Sequence, residues 1–336
     1  MIPVVIVAGF LGAGKTTLLN HLLRDNRGTR IGVVVNDFGA VNIDAMLVAG
    51  QVDAMVSLGN GCVCCAVDVS ELDGLFGRLA QAQVDVIVVE ASGLAEPRNL
   101  IRMVLGTEQP RIGYGGLVTV VDADGFGDAA ARHPELVPQL KLSDLVVVNK
   151  ADLASTDGLA ALRDRIAGWV GQVPVYATTH GRVPAGLLFD EVSLRRPAVA
   201  QQLSFDELLD DHDHDDPGHR HLHDDYVSLA FTESRPLDPR ALIAVLEDPP
   251  DGLFRAKGVI AFAGQRRKFV MHLVGRHVVF TRAGWSRGEA RETNLVLIGA
   301  GLDTETAAKR LRATVFEGTE PPGEEAMLGV YRYTPS

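Results

Sequence analysis

The apolar positions follow two different patterns along the chain. In the N-terminal part, short and fully apolar runs recur at Ile2–Ala8, Ile31–Val35, Val84–Val89, Leu117–Val121, Leu145–Val148 and Val173–Tyr176. Continuous runs without polar alternation are the mark of strands buried on both faces, as in a parallel sheet. Helical stretches intervene, from Lys15 to about Arg24, at Glu71–Ala82 and at Gly158–Val170. This alternation predicts an α/β domain over residues 1–197, with a doubly wound, mainly parallel sheet and right-handed crossovers.

Beyond Pro197 the pattern changes. Residues 198–225 are polar and poor in aromatics, and read as a linker. Strand-like runs resume at Tyr226–Phe231, Gly258–Phe262, Lys268–Leu273, His277–Phe280 and Leu295–Ile298, with helical segments at Pro239–Leu246 and Thr304–Phe316. They predict a smaller α+β domain over 226–316. The Pro/Gly/Glu-rich stretch 317–336 reads as a flexible tail.

A length of 336 residues suits two domains, and 46% apolar with 22% charged residues excludes a wholly disordered chain. The net charge of −11 argues against nucleic acid or an anionic membrane as partner. That charge is uneven. Between Ser204 and Asp225 lie nine acidic residues and one arginine, whereas Phe254–Arg291 holds nine basic residues and one acidic. The basic stretch reads as solvated strand faces, or as a dock for the acidic linker or a client protein. All three cysteines fall between 62 and 65, which excludes a secreted disulfide framework. The first apolar run lacks a basic flank and breaks at Gly9, too short for a signal sequence or membrane span. A reducing, cytoplasmic compartment is expected.

Residues 9–16 read Gly-Phe-Leu-Gly-Ala-Gly-Lys-Thr, a G-x-x-x-x-G-K-[ST] loop between a strand and a helix. Its glycines let backbone N–H groups form an anion nest, and the helix N-terminus adds partial positive charge. Gly9, Gly12, Ala13, Gly14, Lys15, Thr16 and Thr17 are the expected phosphate contacts. Lys15 reaches for the β- and γ-phosphates, and the Thr16 hydroxyl for Mg²⁺. Asn149-Lys150-Ala151-Asp152 follows the run Leu145–Val148, at the carboxyl end of a strand where open sheets bind ligands. Asp152 can accept from N1–H and the 2-amino group of guanine, which adenine lacks, and Lys150 lies along the base plane. The expected nucleotides are GTP and GDP. Glu90 ends another apolar run and can hold the Mg²⁺ shell, while the Gly93 N–H can sense the γ-phosphate. The next residue is Leu94, not a water-orienting glutamine, so intrinsic hydrolysis is expected to be slow.

Gly61-Cys62-Val63-Cys64-Cys65 brings three thiols together within four residues. Such a set suits one soft cation, with zinc, cuprous copper and cobalt as candidates. Buried free thiols are the plainer alternative, and a Cys64–Cys65 disulfide would be strained.

The phosphate loop with its second threonine, N-D-F-G at 36–39, G-C-V-C-C, E-A-S-G-L-A-E-P at 90–97, N-K-A-D at 149–152 and R-A-K-G at 255–258 occur in this order. Together they resemble the CobW-type family of GTPases over nearly the whole chain. The resemblance implies a P-loop GTPase domain, a CobW C-terminal domain and metal handling coupled to GTP hydrolysis. It implies that Cys62, Cys64 and Cys65 bind the delivered metal, zinc or else cobalt or iron. The family usually has N-E-F-G-E near residue 36. Here Asp37 keeps a carboxylate one methylene shorter, as a candidate metal ligand or aid to hydrolysis, and Ala40 has none.

His212, His214, His219, His221 and His223 alternate with aspartates in the linker, five of the ten histidines in the chain. Imidazole and carboxylate suit borderline divalent ions, and the absence of a fixed four-ligand spacing points to a labile tract. His272 and His277 read as ordinary domain residues. The expected function is a GTP-binding, GTP-hydrolysing metallochaperone that passes a transition metal to a client metalloprotein. The alternatives are a metal store or sensor with GTP as a switch, and a GTPase assisting cobalamin synthesis or maturing a metalloenzyme such as nitrile hydratase. A homo-oligomer is among the assemblies the sequence allows.

Overall fold

The computed structural model describes residues 1–26, 28–35, 54–57, 69–91, 93, 96–189 and 226–334. In the N-terminal domain seven strands form one sheet in the order β3-β2-β4-β1-β5-β6-β7, every pair parallel. They are β1 (Ile2–Ala8), β2 (Ile31–Val35), β3 (Ala54–Ser57), β4 (Val86–Glu90), β5 (Ile112–Asp122), β6 (Leu145–Asn149) and β7 (Val175–Ala177). Alternate residues of the apolar runs serve opposite faces. Val5 and Val7 of β1 pack with Leu18, Leu19 and Leu22 of helix α1 (Lys15–Arg24). Val4 and Ile6 pack with Leu72, Leu75, Phe76 and Leu79 of helix α2 (Val69–Gln81), whose spacing makes one apolar helical stripe. Because β4 and β5 flank β1 on either side, the chain reverses direction across the sheet at β1. The segment after β1 therefore sits at the switch point, where open α/β sheets bind ligands.

The C-terminal domain is a five-stranded antiparallel sheet in the order β11-β10-β9-β12-β8. Its strands are β8 (Tyr226–Glu233), β9 (Leu253–Ile260), β10 (Lys268–Val274), β11 (His277–Ala283) and β12 (Thr293–Ala300). One face buries Phe269, Met271, Leu273 and Phe280 beneath the helices Pro239–Glu247 and Thr304–Arg312. On the other face Phe254, Ile298 and Ala300 join the core cluster of the N-terminal domain. Arg255 clamps that contact by donating Nη2 to the carbonyls of Gly186 and Phe189. A buried polar node supplements it. Asp144 accepts from the Tyr114 hydroxyl at 2.5 Å, the Leu117 N–H at 2.9 Å and the Arg276 backbone in the β10–β11 turn.

Two expectations are corrected. The stretch 317–336 is not loose where it is described, up to residue 334. Ala326, Met327 and Val330 are buried, and the Phe280 N–H donates to the Tyr333 carbonyl at 2.9 Å. Apolar side chains at helical spacing drive this return, over a 3-10 turn at Glu324–Met327 and a helix at Leu328–Tyr331. The strand expected at Gly258–Phe262 begins earlier, at Leu253, so 255–258 lies inside β9. Among the described residues no helix is long and apolar enough to cross a membrane.

Candidate functional site

β1 delivers the chain to Gly9–Gly14 at the carboxyl edge of the sheet. Gly14 caps α1 with φ 103°, in the left-handed region, and an ideal Cβ there would lie 2.2 Å from Asn149 Nδ2. Only glycine meets both demands. The first turn of α1 carries no acidic residue of its own, and a helix N-terminus favours negative charge. Lys15 is 8% exposed and its ammonium donates to the carbonyls of Gly9 at 3.0 Å and Phe10 at 3.3 Å. The charge expected at the phosphates is thus stored against the loop itself.

The next residue reaches across the sheet. Thr16 Oγ1 donates to Glu90 Oε1 at 2.9 Å, and Glu90 is only 3% exposed at the end of β4. A hydroxyl and a buried carboxylate side by side are hard oxygen donors, the set that Mg²⁺ takes. Gly93 lies close by: an ideal Cβ there would sit 2.7 Å from Leu11 Cδ2, so the turn after β4 runs against the phosphate loop.

Asn149, 2% exposed at the end of β6, joins three segments. Its Nδ2 donates to the Ala13 carbonyl at 2.9 Å, and its Oδ1 accepts from the Gly181 N–H at 2.9 Å. Lys150 follows in the left-handed conformation, φ 59°, with its ammonium 2.6 Å from Asp122 Oδ2. Asp152 stands exposed in a 3-10 turn, Ala151–Leu153. The expected nucleotide residues Gly9, Gly12, Ala13, Gly14, Lys15, Thr16, Thr17, Glu90, Gly93, Asn149, Lys150 and Asp152 therefore share one edge of the sheet.

Three participants escaped the sequence reading. Asp122 extends β5 by one residue beyond the apolar run; an acid at the end of the strand beside Asn-Lys-x-Asp was the available signal. Burial pushes the Asp122 carboxyl upward, but hydrogen bonds from Lys150, Asp124 and Gly125 outweigh it and hold the group below its ordinary value. The loop 178–182 is fastened to the site through Gly181 and through the Ala151 N–H, which donates to the Thr178 carbonyl at 3.0 Å. His133 packs its ring on Phe10 of the phosphate loop, with centroids 4.8 Å apart.

The expected metal residues Asp37, Cys62, Cys64, Cys65, His212, His214, His219, His221 and His223 lie outside the described residues. Among the described residues there is no group of three or more His, Cys, Asp or Glu placed to hold a metal ion.

The chain is similar to known proteins over nearly its whole length. Residues 3–176 match the model of the CobW/HypB/UreG nucleotide-binding domain, and residues 226–315 that of the cobalamin synthesis protein cobW C-terminal domain. The zinc chaperone CobW of a Sinorhizobium species is 30% identical over 350 residues, covering 94% of this chain and 97% of that protein. The zinc chaperone CobW of Pseudomonas aeruginosa is 32% identical over 355 residues, covering 94% and 92%. The solved structure of Zn(II)-bound YjiA GTPase from E. coli is 24% identical, with 94% of this chain and 99% of that chain covered and a TM-score of 0.44. With both of its halves matched in order, the chain belongs to the CobW/HypB/UreG family and carries the CobW C-terminal domain.

Proposed function

We propose that this chain is a GTP-hydrolysing metallochaperone that takes up zinc, or another transition metal, at Cys62, Cys64 and Cys65 and delivers it to a client protein. One observation carries the reading. Val35, Ser57 and Glu90 stand in register at the carboxyl ends of β2, β3 and β4. The strand leading into Asp37 thus ends next to the strand end that carries Glu90, the carboxylate that Thr16 contacts, and the strand that precedes the cysteine run ends one strand farther out. The names of the curated relatives, zinc chaperones matched over nearly their full length, support the same reading.

In this reading Asn149, Lys150 and Asp152 take the guanine base, and the loop N–H groups and Lys15 take the phosphates. Lys15 exchanges the carbonyls of Gly9 and Phe10 for phosphate oxygens when nucleotide enters. Thr16 and Glu90 would hold Mg²⁺, which would supply positive charge at the phosphates; the γ-phosphoryl group passes to water, leaving GDP and phosphate. Leu94, where a water-orienting glutamine would stand, keeps that transfer slow without a partner. GTP binding is coupled to metal binding at the thiolates, and hydrolysis to metal release. The histidines at 212, 214, 219, 221 and 223 gather metal for the site.

Such coupling is reciprocal in binding. Zinc titrated into the protein with a non-hydrolysable GTP analogue should bind about 5- to 150-fold more tightly than with GDP. Cys65→Ala should remove this tight component. Equal zinc affinity in the two nucleotide states rules the reading out.

A further inference from the structure

The lysine of the base site is held at both ends. Its backbone, in the left-handed region at φ 59° and ψ 35°, is a conformation uncommon for a side chain of that size. Its ammonium rests 2.6 Å from Asp122 Oδ2, with the lysine side chain 34% and the aspartate 24% exposed. Asp122 is itself anchored. Its Oδ1 accepts from the backbone N–H groups of Asp124 at 3.1 Å and Gly125 at 3.3 Å. The two strand ends are locked together, since Asp122 pairs with Asn149 in the β5–β6 ladder and the Ala123 N–H donates to the Asn149 carbonyl at 2.8 Å.

A free lysine stem has four rotatable carbons and must be ordered whenever a ligand lies on it. Here the ordering is done before any ligand arrives, because the anchored carboxylate fixes the far end of the stem. We propose that Asp122 is a positioning residue for guanine nucleotides: it pins the Lys150 ammonium so that the lysine stem forms a ready surface for the base. This rests on the reading that Asn149, Lys150 and Asp152 take the base. The competing role for Asp122 is a plain turn cap at the start of the helix Phe126–Arg132, which would act on stability and not through Lys150.

A double-mutant cycle separates the two, read as affinity for mant-GDP on the full chain, with a thermal melt of each variant. Asp122→Asn keeps an oxygen for the Asp124 and Gly125 N–H groups and gives up the charge on Lys150. Lys150→Met keeps an unbranched stem without an ammonium. We expect Asp122→Asn to weaken mant-GDP about fivefold, the scale of a partly exposed ion pair, with an unchanged melt. In the Lys150→Met background the same change should have no further effect. A loss that repeats in full in that background, or no loss in the single variant, overturns the proposal. Wild-type protein that binds mant-ADP as tightly as mant-GDP overturns the base reading and the proposal with it. Metal takes no part in the measurement, so failure of the metal-delivery reading would show separately.

Discussion

Asn149 donates its Nδ2 to the Ala13 carbonyl, 2.9 Å away, and so ties the end of β6 to the phosphate loop. The same amide accepts from Gly181 N–H, so one 2% exposed side chain joins the end of β6 to both the Gly9–Gly14 loop and the loop 178–182. Asn149→Ala leaves a buried carbonyl and a buried N–H without these partners. An unmade buried hydrogen bond costs about 1–3 kcal/mol. Denaturant unfolding should report a loss of about 2–3 kcal/mol, and mant-GDP affinity should fall with it. A variant as stable as the wild type would contradict this role.

Gly14 and Gly12 both have positive φ, 103° and 76°, but they differ in their surroundings. A Cβ on Gly14 would strike Asn149 Nδ2 at 2.2 Å, whereas among the described residues nothing lies within 4 Å of one on Gly12. Gly12→Ala then carries backbone strain alone, about 1–2 kcal/mol. Gly14→Ala adds the displacement of Asn149 and should be the more damaging of the two to stability and to GDP binding. Unfolding curves of the pair compare them directly, and equal losses would place the Asn149 contact outside the account.

Glu90 and Thr16 meet at 2.9 Å, and Glu90→Gln preserves the shape of that contact while removing its charge. Groups that tune a metal site typically change metal affinity about 10- to 100-fold when altered. The Mg²⁺ concentration for half-maximal GTP hydrolysis should rise by that factor, with mant-GDP binding in the absence of Mg²⁺ little changed. An unshifted Mg²⁺ dependence would remove Glu90 from the magnesium shell.

Local pattern and distant partner divide what the sequence could reveal. β1 is legible as Ile2–Ala8 and α1 as Lys15 to about Arg24, because a fully buried strand and a glycine-capped apolar helix each announce themselves locally. The apolar run predicts only Leu117–Val121 of β5, which runs from Ile112 to Asp122. Its first half, Ile-Gly-Tyr-Gly-Gly, has no continuous apolar run; parallel pairing with β1 makes it a strand. The helix Pro97–Leu105 carries no such run either: Pro97, Leu100 and Val104 are buried with Ile101 and Met103 packed beside them, and polar residues interrupt the pattern. In the site, Lys15, Thr16 and Asn149 follow from motif spacing. Asp122 does not, because its meaning depends on Lys150, its neighbour only across the β5–β6 ladder.

Asp144 gives the domain contact a pH dependence of defined sign. Burial pushes its carboxyl up, and hydrogen bonds from Tyr114 and from the Leu117 and Arg276 backbones pull back only partly, leaving it at about 6. The same burial, with the Asp144 charge beside it, raises the Tyr114 hydroxyl, and burial lowers the His277 imidazole that packs edge-on to Tyr114. With an unfolded value of 3.8, Asp144 binds its proton more tightly in the folded chain. Its contribution is therefore most favourable below pH 4 and is lost as pH rises through about 6, on the order of 3 kcal/mol in all. Asp144→Asn keeps an oxygen acceptor at the node and never carries the buried charge. The stability of the variant relative to wild type should rise between pH 4 and pH 6.5 and then level off, measured by urea unfolding at fixed ionic strength. The difference between the two proteins isolates Asp144 from every other titrating group, and a difference that is flat with pH, or that falls, would show that the carboxylate at this contact is ionised at no expense to the fold.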